Sequence, residues 1–316
     1  MKKIFVILIV VGLGFSSCDR INDPYKGLEK PIDELDDDSI VSIDTLRFCT
    51  YAKDDFDIEL NDTTYNDTTS NIRKVLLEEF TGHLCGFCPP QSKKLIAKTE
   101  NELKGKTVVM SIHAANFAVL VPSKGYTTDF TTSEGNDLHE KYKGGNTAPS
   151  LMLNRSNNPA SASKWDGLLD SLDKSGYYND PVVKFKVRNI YNATIKKGRA
   201  DIDIEFLKDF SGVNFVLGVY ITEDNIIAMQ KWYNNPTGPD DIEDYDHRHA
   251  IRTAATPTFG ASFVSGTVSV NQKESRSFCY DMKDEWKADN CSVVVFLANA
   301  DNNEIFQAEE VHLKHE

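Results

Sequence analysis

The sequence predicts an α/β domain followed by an all-β domain. A buried apolar strand ends at a Cys-x-x-Cys motif and continues as a helix, which is typical of α/β proteins. Beyond about residue 180 the apolar residues alternate with polar ones, the period of half-buried strands. The chain of 316 residues is long enough for two domains, and its 40% hydrophobic content excludes a wholly disordered protein.

The N-terminus predicts export from the cell. Two lysines precede the apolar run 4–11, and two serines stand directly before Cys18. This is the pattern of a secretory signal, and the run is too short to span a membrane. The residues before the cysteine resemble a bacterial lipobox, which implies removal of 1–17 and a lipid anchor on Cys18. An ordinary signal peptide or an uncleaved anchor is the alternative.

The next segment carries most of the negative charge. Residues 19–70 hold 15 Asp and Glu against 5 Lys and Arg, in a chain whose net charge is −13. We interpret 18–39 as a solvated acidic tether and 40–70 as short strands and a linker. Asp-Ser and Asp-Thr pairs within these segments resemble O-glycosylation sites, or are ordinary loop residues. Since the chain shows no basic patch, we expect no nucleic-acid partner.

The Cys-x-x-Cys motif is the most informative feature. The apolar run 75–80 predicts a buried strand, and the helix follows at 91–98. This arrangement would place Cys85 at the helix N-terminus, where free N–H groups favour a thiolate. Cys88 lies one turn further on, close enough to attack a mixed disulfide on Cys85. Pro89 fits the first turn of the helix.

The following elements complete a recognisable order. A strand is predicted at 106–113, a helix at 134–142, a strand led by Pro149, and a helix at 163–172. This order resembles a thioredoxin fold. The resemblance implies that Pro149 is cis and shapes a substrate groove beside the cysteines, and that Glu79 is the buried acid assisting proton transfer. Further candidates for the groove are His83, Phe87, His113, Thr147 and Ala148, although Phe87 is equally explained by packing and His113 is better explained as a loop histidine with its hydrogen bonds satisfied.

The motifs also resemble one particular family. Residues 75–83, followed by Cys85 and the Cys88-Pro89 pair, closely resemble the signature of the Bacteroidetes 28-kDa outer membrane protein family. Pro149 with Asn154-Arg155, and the run 247–252, fit the same pattern. The resemblance covers most of 74–313. It implies an outer membrane lipoprotein with a thioredoxin-like domain at 71–178, and it leaves open whether the protein faces the periplasm or the cell surface.

The second half, 179–316, predicts an immunoglobulin-like β-sandwich of about seven short strands. It contains no nucleophile–base pair and no phosphate-binding loop, which indicates an interaction or structural module. Trp232 and Tyr233 form either a loop contact or a packed corner.

Several alternatives remain for the cysteines and histidines. Cys85 and Cys88 could be a permanent staple, or could bind a metal with His83. His247 and His249 are expected on one face of a strand, as a metal pair or as surface residues. A cross-strand bridge between Cys279 and Cys291 is conceivable, and it would leave Cys49 unpaired. We predict no metal and no cofactor.

Two functions follow from these observations. The leading hypothesis is a thiol-disulfide oxidoreductase that acts on disulfides of secreted or surface proteins, with Cys85 as nucleophile and Cys88 as resolving residue. The rival is a surface adhesin or accessory binding lipoprotein in which the cysteine pair only holds the fold. The members of the similar family are described as surface antigens or adhesins as well as thioredoxin-like proteins. Nothing in the sequence fixes the direction of exchange.

Overall fold

The computed structural model describes residues 63–67, 72–156 and 158–313. The fold is mixed α/β, with strands in several sheets and few helices. The predicted signal at 1–17, the predicted lipidation site Cys18, the predicted tether at 18–39 and Cys49 lie outside the described residues.

The first half contains the predicted strands and helices around the Cys-x-x-Cys motif. In chain order the elements are β1 (Thr63–Asp67), β2 (Val75–Thr81), α1 (Cys88–Glu100), β3 (Thr107–His113), α2 (Ser133–Tyr142), β4 (Ser150–Leu153), β5 (Ala160–Ser161) and α3 (Trp165–Lys174). Strand β2 runs parallel to β3 and antiparallel to β4. The peptide bond between Ala148 and Pro149 is cis, as the resemblance to thioredoxin implied.

Strand β2 is buried on both of its faces, which explains its unbroken apolar run. Val75 and Leu77 pack with Leu95 of α1 and Leu169 of α3. Leu76, one position out of phase, joins a different cluster on the other face. The two clusters fix the sheet between them and hold the end of β2, from which the cysteine motif follows.

The second half is built from strands. They are β6 (Val183–Asn192), β7 (Lys197–Phe206), β8 (Phe210–Glu223), β9 (Ile226–Lys231), β10 (Asp241–His247), β11 (Ala250–Ala254), β12 (Ala261–Val268), β13 (Lys273–Asp281), β14 (Cys291–Asn299) and β15 (Ile305–His312). Strands β1, β6, β7 and β13 form a four-stranded sheet, and β9 pairs with β10 as a separate hairpin. Alternate residues of β6 are buried, as its period of two predicts.

A nine-stranded sheet runs through both halves of the chain. Its order is β15, β14, β8, β11, β3, β2, β4 and β5, and β12 also pairs with β8. The join lies between β11 and β3, where Ala250 is in parallel register with Ser111 and the Ser111 N–H donates to the His249 carbonyl at 2.7 Å. The boundary between two domains at residue 178 therefore stays a prediction.

Two expectations from the sequence are wrong. Cys279 is disulfide-bonded but Cys291 is a buried free thiol, so the bridge between them does not form. Phe278 and Tyr280, on either side of Cys279, belong to the apolar cluster that also buries Cys291, so the Cys279 side chain lies on the face of β13 that points away from Cys291. His247 and His249 do not share a strand face either. Strand β10 ends at His247, and His249 adopts a φ of 55° in the turn before β11.

Candidate functional site

Cys85 and Cys88 form a disulfide in the turn between β2 and α1. The Cys85 N–H donates to the Gly82 carbonyl at 2.9 Å, and the Cys88 N–H donates to the Cys85 carbonyl at 3.1 Å. Helix α1 begins at Cys88 with Phe87 as its N-cap, so Cys85 lies one turn before the helix and not at its N-terminus. Both cysteines are only 1% exposed.

Glu79 is a buried carboxyl group on β2, six residues before Cys85. The Ser92 hydroxyl of α1 donates to its Oε1 at 2.5 Å, and the Ser111 hydroxyl of β3 donates to its Oε2 at 3.4 Å. Burial raises the pKa of Glu79 from 4.5 to about 7, against the lowering effect of the two serines. A carboxyl group with this pKa can both accept and release a proton near neutral pH.

A small cavity of about 20 Å³ connects Glu79 with Cys88. This volume is enough for about one water molecule. The cavity is lined by Glu79, Thr81, Cys88, Pro89, Ser92, Ile96, Ser111, His113, Gln230, Tyr245, Asp246, His247 and Arg248. Its walls therefore come from both halves of the chain.

Three histidines surround Phe130 beside this cavity. The Phe130 ring stacks on His113 at 4.5 Å and lies 4.5 Å from His247 and 5.9 Å from His83, measured between ring centroids. Burial lowers the pKa of all three imidazoles, that of His247 to about 3, so they are neutral at neutral pH. Within the described part of the chain, neither His113 Nδ1 nor His247 Nε2 has a hydrogen-bond partner.

The hairpin of β9 and β10 is docked on the cysteine loop. The Lys231 N–H donates to the His83 carbonyl at 2.8 Å, and the Tyr233 N–H donates to the Gly86 carbonyl at 2.8 Å. The Gln230 side chain donates to the Cys85 carbonyl at 3.2 Å. Tyr233 is therefore a loop contact, one of the two alternatives that the sequence left open.

Gly86 is required by this docking. A Cβ atom at position 86 would lie 2.4 Å from the Tyr233 ring, closer than real contacts allow. The same ring meets Phe87 edge to face, with 5.1 Å between centroids. Gly86 and Phe87, the two residues between the cysteines, therefore pack closely against Tyr233 of the hairpin loop.

The open side of the site carries apolar residues. Phe87 is 63% exposed and Tyr233 is 42% exposed, and Val119 and Leu120 are each almost half exposed. The Val119 carbonyl is hydrogen-bonded to His83 Nε2 at 2.9 Å, which holds this loop beside the cysteine turn.

The remaining residues predicted to line the groove differ in how far they are buried. Pro149 is buried at the same end of the sheet as the cysteine loop, because Ser150 pairs with Phe80 in the register of β4 and β2. Thr147 is exposed and Ala148 is half-buried. His83 and His113 are buried, and His113 lines the cavity.

Sequence reasoning missed the contributions of Gln230, Tyr245 and His247 to this site. The sequence marked His247 only as a possible metal ligand and as part of the run 247–252, and it gave no signal for Gln230 or Tyr245 beyond their place in the predicted β-sandwich. In the residues that the structure describes, no group of three or more His, Cys, Asp or Glu is arranged to hold a metal ion. No helix among them is long and apolar enough to cross a membrane.

Comparison with known proteins matches one family and four chains of solved structures, two of which come from Porphyromonas gingivalis. The model of the family "Outer membrane protein Omp28" matches residues 136–316. The structure of HBP35 of Porphyromonas gingivalis is 14% identical, covers 76% of this chain and 75% of its own, and superposes with a TM-score of 0.51. At this identity it shows a similar fold alone.

A second structure is a domain of the outer membrane lipoprotein Omp28 from Porphyromonas gingivalis. It is 14% identical, covers 42% of this chain and 89% of its own, and has a TM-score of 0.29. No curated protein matches the chain.

Proposed function

This chain belongs to the Omp28 family of outer membrane proteins, and from that premise we propose that it exchanges thiols and disulfides with secreted or surface proteins through Cys85 and Cys88. The observation that carries this proposal is the cavity shared by Cys88 and Glu79. A carboxyl group with a pKa of about 7 at this place suits proton transfer to and from a thiol near neutral pH.

The arrangement of the first half supports a thioredoxin-like core. The sheet order β3, β2, β4, β5, the helices between the strands, and the cis bond before Pro149 resemble that fold. The four-stranded sheet packed on β8 and β14 through a shared apolar cluster supports an immunoglobulin-like sandwich in the second half.

In the proposed reaction, the Cys85 thiolate attacks a substrate disulfide, forms a mixed disulfide, and releases one substrate thiolate. Cys88 then loses its proton to the Glu79 carboxylate through the cavity. The Cys88 thiolate attacks the Cys85 sulfur, and the second substrate thiolate leaves. The substrate disulfide gains two electrons and the cysteine pair loses two. In reverse, the same steps oxidise a substrate dithiol.

The surface around the disulfide supports a protein substrate. Phe87, Val119, Leu120 and Tyr233 form an exposed apolar rim beside a disulfide that is itself almost fully covered. Exposed apolar residues grouped in this way favour contact with a protein or peptide over contact with a small hydrophilic thiol.

We also propose that Cys18 carries the lipid anchor. The lipobox-like sequence before it supports this assignment. Cys18→Ala should abolish incorporation of radiolabelled palmitate and release the protein from the membrane fraction. Retention of the unlabelled variant in that fraction would show that another segment holds it there.

The redox equilibrium of the cysteine pair tests the exchange function. We expect a reduction potential of roughly −270 to −180 mV in glutathione buffers, with selective alkylation of Cys85 seen by mass spectrometry. Cys85→Ala should abolish turnover of a disulfide-bonded protein, whereas Cys88→Ala should trap the mixed disulfide. Cys291→Ala, which removes a buried free thiol outside the site, is the matched control and should leave the potential unchanged.

A potential below about −300 mV, with no selectively reactive thiol, would contradict the proposal. The pair would then be a structural staple. The protein would then act as an adhesin or binding lipoprotein. In that case Cys85→Ala would change the stability of the protein and nothing else.

A further inference from the structure

The cavity behind Cys88 adjoins a much larger cleft. The cleft measures about 860 Å³ and lies between α1 and the hairpin of β9 and β10. Four residues line both spaces, namely Ile96, Tyr245, Asp246 and Arg248. None of the exposed rim residues Phe87, Val119, Leu120 or Tyr233 lines the cleft. A substrate seated on the rim would therefore leave the cleft open to solvent.

Two polar side chains of β10 lie between the cavity and the cleft. Tyr245 and His247 lie on the same face of the strand, and their ring centroids are 4.9 Å apart. Tyr245 lines both the cavity and the cleft, whereas His247 lines the cavity. His247 is only 4% exposed, and its Nε2 lacks a hydrogen-bond partner among the described residues.

Both groups are suited to pass a proton without keeping it. Burial raises the pKa of the Tyr245 hydroxyl, to which the nearby Glu79 charge adds, and burial lowers the pKa of His247. Each side chain therefore stays neutral near neutral pH. The neutral Tyr245 phenol can accept one hydrogen bond and donate another at the same time. The His247 ring is hydrogen-bonded to the backbone at Ala228 and Met229, so Nε2 is the atom that takes up and returns the proton.

We propose that Tyr245 and His247 carry protons between Glu79 and the solvent of the cleft, so that the site exchanges its proton while a substrate covers the disulfide. This inference rests on the proposed function. Both residues act through Glu79 and not on a sulfur atom, and both come from the half of the chain that lacks the cysteine pair.

The proton balance is closed. When Cys88 becomes a thiolate, Glu79 takes up its proton across the cavity. Glu79 then releases that proton through His247 Nε2 to the Tyr245 hydroxyl, while the hydroxyl gives its own proton to solvent in the cleft. Tyr245, His247 and Glu79 all return to their starting states, and no electron moves along this route.

The test is the rate of resolution of a mixed disulfide between Cys85 and glutathione, measured in both directions. Tyr245→Phe removes only the hydroxyl group, and His247→Gln removes the imidazole. We expect each change to slow both directions by at least about tenfold near neutral pH and to leave the equilibrium constant unchanged, because a proton route affects rates and not end states. A merely structural role would alter stability or the equilibrium constant.

Tyr142→Phe is the matched control. The Tyr142 hydroxyl has no hydrogen-bond partner among the described residues and does not line the cavity, so its loss should leave both rates as in the wild type. Unchanged rates in both Tyr245→Phe and His247→Gln would overturn the inference. So would a change confined to one direction.

A second measurement does not depend on exchange chemistry. The carboxyl ¹³C resonance of Glu79, followed through its titration near pH 7, reports how fast this group exchanges its proton with solvent. We expect one averaged line in the wild type and a broadened or divided line in Tyr245→Phe. If the disulfide proves inert, the proposed function fails, but this resonance still decides the proton route. An averaged line in the variant would refute it.

Discussion

Glu78 and Glu79 are neighbours in sequence with opposite surroundings, because successive side chains of a strand point to opposite faces. Glu78 receives a bidentate ion pair from Arg155, whose Nη2 lies 2.7 Å from Oε1, and both side chains are fully buried. Glu79 accepts hydrogen bonds from the Ser92 and Ser111 hydroxyl groups, and among the residues that the structure describes it forms no ion pair. One carboxylate is therefore compensated and the other is not.

The pH dependence of stability should report the uncompensated carboxyl group. Glu79 has a pKa of about 7 in the folded protein against 4.5 in the unfolded chain. The folded state then binds more protons between these values, so the free energy of unfolding falls as pH rises through this window. Glu79→Gln should remove this fall and stabilise the protein above pH 7 by up to about 3 kcal/mol, measured by urea unfolding across pH.

The difference between variant and wild type isolates Glu79 from the buried histidines. The lowered pKa values of His83, His113 and His247 reduce stability at acid pH in both proteins alike. Parallel curves for Glu79→Gln and wild type would contradict the raised pKa.

Glu78→Gln should have the opposite effect to Glu79→Gln. Glu78→Gln leaves the Arg155 guanidinium buried without its carboxylate, so we expect a loss of about 3–5 kcal/mol at neutral pH. Equal effects of the two substitutions in urea unfolding would mean that the strand faces are not distinct.

At the scale of elements, the hairpin of β9 and β10 and the turn after it tie the second half to the cysteine site. The His249 N–H donates to Asp224 Oδ1 at 2.5 Å, and Arg252 Nε donates to Glu223 Oε2 at 2.7 Å. The His249 carbonyl receives the Ser111 N–H. The run 247–252, which fits the family pattern, thus forms the joint between the two halves, and it also supplies His247 to the cavity.

Tyr233 should control access to the disulfide. Its ring packs on Gly86 and Phe87, beside cysteines that are 1% exposed. Tyr233→Ala should speed reduction of the pair by dithiothreitol severalfold, because the turn loses its cover. The measurement is the rate of thiol appearance. Ile227→Ala, an exposed change on the same hairpin, should keep the wild-type rate. Equal rates in the two variants would mean that Tyr233 does not shield the disulfide.

At the scale of the whole molecule, one apolar cluster spans the two halves. Leu76, Phe80 and Met110 of the first half pack with Tyr220 and Phe296 of the second. The nine-stranded sheet crosses the same place. Each half thus buries its central strands against the other.

Residues 72–178 expressed alone should therefore fail to reach a native fold. The fragment would expose one face of β2 and the edge of β3. A domain of this size would then bury too little apolar surface to be stable. We expect weak near-ultraviolet circular dichroism and binding of a hydrophobic dye, against a single cooperative unfolding transition in the full chain. A fragment that folds and keeps the redox potential of the full chain would support independent domains.

The sequence by itself determined the local structure of the first half. Apolar period and punctuation predicted β2, β3, α2, α3 and the strand after Pro149, since these signals arise within a few residues. Helix α1 begins at Cys88, before the predicted run 91–98, and Pro89 lies in its first turn as predicted, but Cys85 precedes the helix instead of standing at its N-terminus.

Tertiary structure alone decided which distant residues complete the site. Nothing local marks that Gln230, Tyr245 and His247 meet Cys88 and Glu79 around one cavity. The same holds for the cysteines, because the short separation of Cys279 and Cys291 does not reveal that Cys279 lies on the face of β13 opposite the apolar cluster that buries Cys291. Sequence patterns record the period of burial along a segment, whereas the pairing of β11 with β3 depends on long-range contacts between segments far apart in the chain.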